Sequence, residues 1–135
     1  MIEDALRLWT TVAPYSGFRC ETISWRLLPA IANDQLRLFY RDGECVGLIT
    51  WAFMTNDEFE TRVYDGAEIF VRDSGDKMVF VDMIAPHGRN DVLWMCKEMR
   101  KQFYVQYPAV ENVYAHRGKR TGAFPNRGKW HENAA

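Results

Sequence analysis

The carboxyl group of Asp82 is the clearest candidate for chemistry, because it interrupts an almost continuous apolar run over residues 79–84. A carboxylate inside an apolar strand loses its hydration, so it needs a partner or its pKa rises. Such a group can orient a catalytic base or bind an incoming amine, or it can simply fasten a neighbouring loop. If it is functional, we expect it at the floor of a groove that opens beside the next helix.

Three histidines could accept a proton from an amine nucleophile, since an imidazole titrates near neutral pH. His87 follows Asp82 by five residues, just past the strand end, and could turn back toward it. His116 ends a later strand and is the second candidate, and His131 lies in the C-terminal tail. For His87, a solvent-facing loop position is the alternative.

The loop His87-Gly88-Arg89-Asn90 leads into the clearest helical pattern of the chain. Free backbone N–H groups and the helix dipole make such a position favourable for a phosphate group. Gly88 lets the backbone approach a ligand, and Arg89 adds positive charge. The alternative is an ordinary strand-to-helix turn that is capped by Asn90. The loop lacks the full Gly-x-Gly of acetyl-CoA enzymes, which weakens the case for free acetyl-CoA as its ligand.

Charge is distributed unevenly along a chain whose net charge is −1. Acids cluster over residues 56–77, whereas residues 113–130 carry basic side chains and no acid: Arg117, Lys119, Arg120, Arg127 and Lys129. The basic stretch, and Lys119 with Arg120 in particular, could dock an acidic carrier protein or its phosphopantetheine. It could also bind nucleic acid, with Phe124 and Trp130 stacking on bases. A solvated loop is the more common outcome, so we do not expect nucleic acid as a partner.

Hydrophobic periodicity predicts the elements that must position these residues. Helices are expected over 3–12, 22–33 (with a kink or end at Pro29), 55–64 (capped by Thr55 or Asn56) and 91–107, and strands over 35–41, 45–53, 79–84 and 112–116. Asp42-Gly43 joins the first two strands as a hairpin. The last three elements form a β-α-β unit. We therefore predict an α+β fold in a single domain, residues 1–135.

Composition excludes several classes of protein. Of 135 residues 47% are hydrophobic, enough for a well-filled core. The three cysteines are widely spaced without a Cys-x-x-Cys pair, so we expect no metal site. The start of the chain carries acids and no apolar signal run, and no segment is long enough to span a membrane. We expect a cytoplasmic protein.

Four segments are similar to one known family. They are Leu28-Pro29-Ala30-Ile31 before a strand, Arg41-Asp42-Gly43 and Thr50-Trp51-Ala52 in the hairpin, and residues 79–90 with their Asp-x-Ile-Ala-Pro core. In these segments the chain resembles the toxin-activating lysine acyltransferases, which modify internal lysines of RTX toxins with acyl groups from acyl carrier protein. The order of elements is similar over residues ~10–130.

This resemblance implies a GNAT-like fold, a mixed and splayed β-sheet flanked by helices, in a chain that is usually homodimeric. It implies acyl-acyl carrier protein or acyl-CoA as donor, no tightly bound cofactor, and a protein lysine as acceptor. The donor's pantetheine phosphates would lie at Gly88, Arg89 and Asn90. The family's catalytic Asp corresponds to Asp82.

The family's catalytic His precedes the Leu-Pro-Ala-Ile segment, at a position that here is Tyr15 or Ser16. Either side chain could hydrogen-bond or act as an acid there, and either could be a plain turn residue. The substitution motivates an alternative function: a catalytically divergent acyltransferase fold that serves as a phage virion or host-takeover binding protein.

Overall fold

The computed structural model describes residues 2–11, 20–117 and 120–126. The elements in these ranges are, in order, α1 (Ile2–Thr11), α2 (Cys20–Ala32), β1 (Leu36–Arg41), β2 (Glu44–Met54), α3 (Asn56–Thr61), a 3₁₀ helix (Glu68–Val71), β3 (Lys77–Ile84), α4 (Arg89–Gln106), β4 (Asn112–Arg117) and β5 (Arg120–Pro125). None of the helices in these ranges has the length and apolarity needed to cross a membrane.

The strands of the described residues form one open sheet in the order β1-β2-β3-β4-β5. The β1–β2, β2–β3 and β4–β5 pairs are antiparallel, whereas β3 and β4 are parallel. Helix α4 makes the crossover that a parallel pair requires. The predicted α+β class with a mixed sheet is therefore confirmed, and the arrangement is consistent with a GNAT-like fold.

The hairpin between β1 and β2 turns at Asp42 and Gly43, as predicted. Their φ angles are 52° and 80°. Positive φ at both central residues is the requirement of the hairpin turn that Asp-Gly favours, since glycine adopts this conformation without steric cost. The turn chemistry thus sets where β1 ends and β2 begins.

Hydrophobic side chains are buried on both faces of the sheet. On one face, Trp9 of α1 and Leu27 of α2 pack with Phe70 of the 3₁₀ helix. On the other face, Phe103 of α4 contacts Trp51 of β2, with ring centroids 5.1 Å apart. Strands β2 and β3 are covered from both sides, which explains their nearly continuous apolar sequences.

The helix boundaries differ from the predicted ones in ways that have local causes. α4 begins at Arg89, and its N-cap is Gly88 with φ 107°, so Asn90 lies inside the first turn and is not the cap. The chain turns at Gly88 because a residue without a Cβ adopts this angle most easily. α2 continues through Pro29, where a kink or an end was predicted, and stops at Ala32.

Strand β5 was not predicted from the sequence. Residues 120–125, expected to belong to a solvated basic tail, pair antiparallel with β4 from Arg117↔Arg120 to Asn112↔Pro125. Gly122, Ala123 and Pro125 lower the intrinsic strand preference of this segment, so the pairing with β4 decides its conformation. The prediction of a loop is therefore wrong for residues 120–125.

Candidate active site

Asp82 lies next to an irregularity in the pairing of β2 with β3. Thr50 pairs with Asp82 and Trp51 pairs with Phe80, so Val81 is an extra residue on β3. Such a bulge re-aims the side chains around it. Val81 packs into the cluster formed with α1 and α2, and Asp82 contacts Arg26 of α2, so both side chains lie on the same side of the sheet.

The Asp82 carboxyl group is 3% exposed and makes two side-chain hydrogen bonds. Arg26 Nη2 donates to Oδ1 over 3.0 Å, and Thr50 Oγ1 donates to Oδ2 over 2.8 Å. The Thr50 hydroxyl also accepts the backbone N–H of Asp82 over 3.0 Å. Burial raises the pKa of Asp82, and the charge of Arg26 and the Thr50 hydrogen bond act against that rise.

Arg26 reaches Asp82 from the middle of α2, and its side chain is 21% exposed. Its guanidinium lies over the Trp9 ring, 5.4 Å from the ring centroid. Its Nε is buried and has no hydrogen-bond partner among the residues that the structure describes. The site therefore holds a carboxylate, a cation and an N–H donor that is free for a further acceptor.

Sequence reasoning missed both partners of Asp82. Arg26 interrupts an apolar helical stretch, Trp25-Arg26-Leu27-Leu28, and a lone cation in such a stretch is a signal for a buried acid elsewhere. Thr50 lies in β2 between apolar neighbours, and nothing in that pattern indicated a functional role.

Neither His87 nor His116 joins Asp82. His87 is exposed, and its Nε2 lies 4.0 Å from Glu44 Oε1 at the hairpin end of the sheet. His116 is held by Phe59 and Thr121: its Nε2 is 2.8 Å from the Phe59 carbonyl oxygen and its Nδ1 is 3.1 Å from the Thr121 hydroxyl. Within the described residues neither imidazole contacts the Asp82 carboxyl group, so a base role for His87 needs a movement of its loop.

Other predicted residues are dispersed or lie beyond what the structure describes. Tyr15, Ser16, Lys119 and His131 lie outside the described residues. Arg120 begins β5 and is exposed.

A cavity of about 430 Å³ opens beside α4 on the other face of the sheet. Its lining combines cationic and apolar side chains: Met83, Arg89, Val92, Leu93, Cys96, Lys97, Arg100, Ala115 and Phe124. Arg89 thus takes part in a concave site, whereas Gly88 and Asn90 are exposed at the start of α4. The Arg100 guanidinium lies 4.9 Å from the Phe124 ring centroid, and burial lowers the pKa of Arg100.

The cavity forms where the sheet divides. The β3–β4 ladder runs from Met78↔Val113 to Phe80↔Ala115, whereas β3 stays paired with β2 as far as Ile84. Beyond Phe80, β3 and β4 separate, and both Met83 and Ala115 line the cavity. Met83 and Asp82 are neighbours on a strand and point to opposite faces. The expectation that Asp82 forms the floor of the groove beside α4 is therefore wrong, because its neighbour Met83 does so.

Comparison with known proteins identifies the family of this chain. The family model described as the RTX toxin acyltransferase family matches residues 3–123. The chain belongs to this family. The predicted family resemblance is thereby confirmed, and the roles of Asp82 and the other candidate site residues stay predictions.

Named relatives have the same activity in common. This family member is 30% identical over 117 residues to the leukotoxin-activating lysine-acyltransferase LtxC of Aggregatibacter actinomycetemcomitans, a match that covers 85% of this chain and 67% of the relative. It is 32% identical over 98 residues to the protein-lysine myristoyltransferases RtxC of Kingella kingae and HlyC of Escherichia coli. Each of these two matches covers 71% of this chain; the first covers 58% of RtxC and the second 55% of HlyC.

The chain thus spans between about half and two thirds of the length of these relatives. They are named as lysine acyltransferases, so they give no support to the alternative of a phage virion or host-takeover binding protein. The homodimer, the cytoplasmic location and the identity of the donor remain predictions.

Proposed function

We propose that this chain is a protein-lysine N-acyltransferase, which moves an acyl group from a thioester donor to the side-chain amine of a protein lysine. The observation that carries the proposal is that the family model covers residues 3–123, including the buried Asp82 and its Arg26 partner. A carboxyl group whose pKa is raised by burial is a better proton acceptor than an exposed one.

In the proposed reaction the lysine ammonium first gives one proton to the Asp82 carboxylate. The neutral nitrogen attacks the thioester carbonyl carbon, a C–N bond forms, and the C–S bond breaks with its electron pair leaving on sulfur. The second proton leaves the nitrogen and ends on the thiolate of the donor. Asp82 then returns its proton to solvent, so the enzyme is unchanged at the end of the cycle.

We assign the donor to the cavity beside α4. Arg89 and Lys97 supply positive charge for the phosphodiester of a phosphopantetheine arm, near the N–H groups that begin α4 at Gly88. Val92, Leu93 and Phe124 supply apolar surface for the arm or its acyl chain. Acyl carrier protein, which is acidic, suits this cationic rim as the donor.

The test is acylation of a protein acceptor followed by intact mass. The purified chain is mixed with myristoyl-acyl carrier protein and an unmodified RTX toxin, because two relatives are named as protein-lysine myristoyltransferases. We expect a mass gain of one or more myristoyl groups, and we expect Asp82→Asn to lower the rate at least a hundredfold, as loss of a positioned proton acceptor commonly does.

Asp91→Asn is the matched control, because Asp91 is also a buried acid that is paired with an arginine, Arg41, at 2.5 Å. It lies on α4 and does not contact Asp82. Full activity in Asp82→Asn would rule out the role given to Asp82. The absence of any mass gain with the unaltered chain, over a range of acyl donors and toxins, would contradict the proposed function itself.

A further inference from the structure

The ion pair between Arg26 and Asp82 joins residues that are 56 positions apart in sequence. Within the part of the chain that the structure describes, Arg26 is the cation that contacts this carboxyl group, since the other side-chain contact comes from the uncharged Thr50. The Arg26 Cγ and Nε also lie within 3.9 Å of a Cβ placed on Gly66, so the guanidinium is enclosed between α1, α2 and the segment before the 3₁₀ helix.

The charged and titratable groups that face Asp82 come from two elements of the described chain. α2 contributes Arg26, and the segment before the 3₁₀ helix contributes the half-buried Tyr64. α1 contributes the Trp9 ring, and β2 contributes the hydroxyl of Thr50. Burial raises the pKa of Tyr64, so this phenol stays neutral where Asp82 titrates. Arg26 is therefore the described group that can oppose the effect of burial on Asp82 with a full charge.

We propose that Arg26 is a positioning residue for the acyl transfer: its guanidinium holds the Asp82 carboxyl group in the ionised form and aims it at the incoming amine. This inference rests on the proposed function. It adds a residue of α2 to the catalytic centre, and it explains how a carboxylate that is 3% exposed stays charged when the substrate arrives.

The pairing also leaves Arg26 able to respond to the substrate. One of its five N–H groups bonds Asp82 Oδ1, and its Nε has no hydrogen-bond partner among the described residues. When Asp82 takes a proton from the amine, the pair loses its charge attraction, and the remaining N–H groups can turn to an oxygen of the substrate. Arginine presents a rigid fork of donors that lysine lacks, so the two are not equivalent here.

The first experiment measures the pH dependence of kcat/KM for Arg26→Met. Without the cation the pKa of Asp82 rises further, so the acid limb of the profile moves to higher pH and activity at pH 6 falls about tenfold more than activity at pH 8. Arg26→Lys, which keeps the charge, restores the position of the limb but only part of the rate. Arg41→Met is the matched control, because it removes the partner of the buried Asp91 instead.

A loss of rate by the same factor at every pH, with no rescue by Arg26→Lys, would mean that Arg26 is merely structural and would overturn the inference. An equal shift of the acid limb of the kcat/KM profile in Arg41→Met would also overturn the inference. These outcomes require an active parent chain, so they are separate from failure of the proposed function.

The second experiment does not depend on activity. Urea unfolding is followed at several pH values for Arg26→Met, Asp82→Asn and the double variant. A folded-state pKa above the unfolded value means that the carboxyl group favours folding most below the unfolded pKa, and that this contribution is lost as pH rises through the folded pKa. Relative to the unaltered chain, Arg26→Met should therefore lose stability progressively from acid to neutral pH, whereas the double variant should show no such loss relative to Asp82→Asn.

If the difference in stability between Arg26→Met and the unaltered chain is independent of pH, or if the same pH-dependent difference remains between the double variant and Asp82→Asn, Arg26 does not control the charge of Asp82. That result would overturn the inference even if the chain proves to be an acyltransferase. If Arg26→Met does not fold, Arg26→Gln removes the same charge and provides the comparison, and Arg26→Lys is the variant that keeps it.

Discussion

The Asp82 carboxyl group is held by two side chains, those of Thr50 and Arg26. The Thr50 hydroxyl donates to the carboxyl group and accepts the backbone N–H of Asp82, so one side chain fixes both the position of the strand and the direction of the carboxyl group. Arg26 supplies the opposing charge from α2. At the scale of single residues, the candidate catalytic group is thus defined by its neighbours more than by its own type.

Thr50→Val tests this arrangement. Valine has the same shape without the hydroxyl, so a buried carboxyl oxygen and a backbone N–H both lose a partner, and we expect the free energy of unfolding to fall by about 1–3 kcal/mol. The loss should grow as pH rises, because the pKa of Asp82 rises further when the hydrogen bond is removed. Urea unfolding at acid and neutral pH measures both effects.

Thr50→Ser is the control, since it keeps the hydroxyl and removes only a methyl group. A Thr50→Val variant as stable as Thr50→Ser at every pH would contradict the account of these hydrogen bonds.

At the scale of elements, α4 lies unusually close to β2, and Gly47 permits the approach. A Cβ atom on Gly47 would lie 2.3 Å from Sδ and 2.6 Å from Cε of Met95, and 3.3 Å from the carbonyl oxygen of Ile84. Met95 is fully buried, so its side chain has little room to move. The close packing holds α4, and with it Arg89 and the cavity, against the central strands.

Gly47→Ala should therefore destabilise the protein by about 1–3 kcal/mol through overpacking, as measured by thermal or urea unfolding. Gly122→Ala is the matched control in another strand. There a Cβ would meet only ring carbons of Phe124 at 3.5 Å and the Ala115 carbonyl oxygen at 4.0 Å, which are ordinary contacts. Equal stability of the two variants would mean that Gly47 does not limit the approach of α4.

At the scale of the whole molecule, the two faces of the sheet have different tasks in the proposed reaction. One face carries the buried pair of Arg26 and Asp82, and the other carries a cationic cavity beside α4. Strands β3 and β4 separate beyond Phe80, between the buried ion pair and the cavity. We propose that a donor bound beside α4 presents its thioester to the carboxylate side where β3 and β4 have separated.

Charge reversal at the cavity tests this division. Lys97→Glu combined with Arg89→Glu should raise KM for acyl carrier protein about tenfold at low salt with kcat little changed, since exposed charges act mainly on encounter and are screened by salt. Steady-state kinetics at low and high ionic strength measure the effect, which should shrink at high salt.

Lys101→Glu is the control, because Lys101 is an exposed cation of the same helix that does not line the cavity. An equal increase of KM in Lys101→Glu would mean that the cavity has no special part in donor binding.

Local patterns in the sequence predicted much of the fold. Three features were predicted from residues that are close in the chain: the Asp42-Gly43 turn, the apolar alternation of the hairpin strands and the long amphipathic stretch of α4. Neighbouring residues determine the geometry of each of them. The burial of Asp82 followed from the same kind of evidence, an acid within an apolar run, and the family resemblance followed from the segment around it.

Only the tertiary structure decided which groups meet at the site. Arg26 and Asp82 are far apart in sequence, and β5 forms because β4 offers it an open edge, so no local pattern could reveal either. The bulge at Val81 depends on the register between two strands, and it is this register that turns Asp82 toward α2 while Met83 faces α4. Pairing and packing between distant segments are set by burial and hydrogen bonding in three dimensions, and these interactions form only as folding brings the segments together.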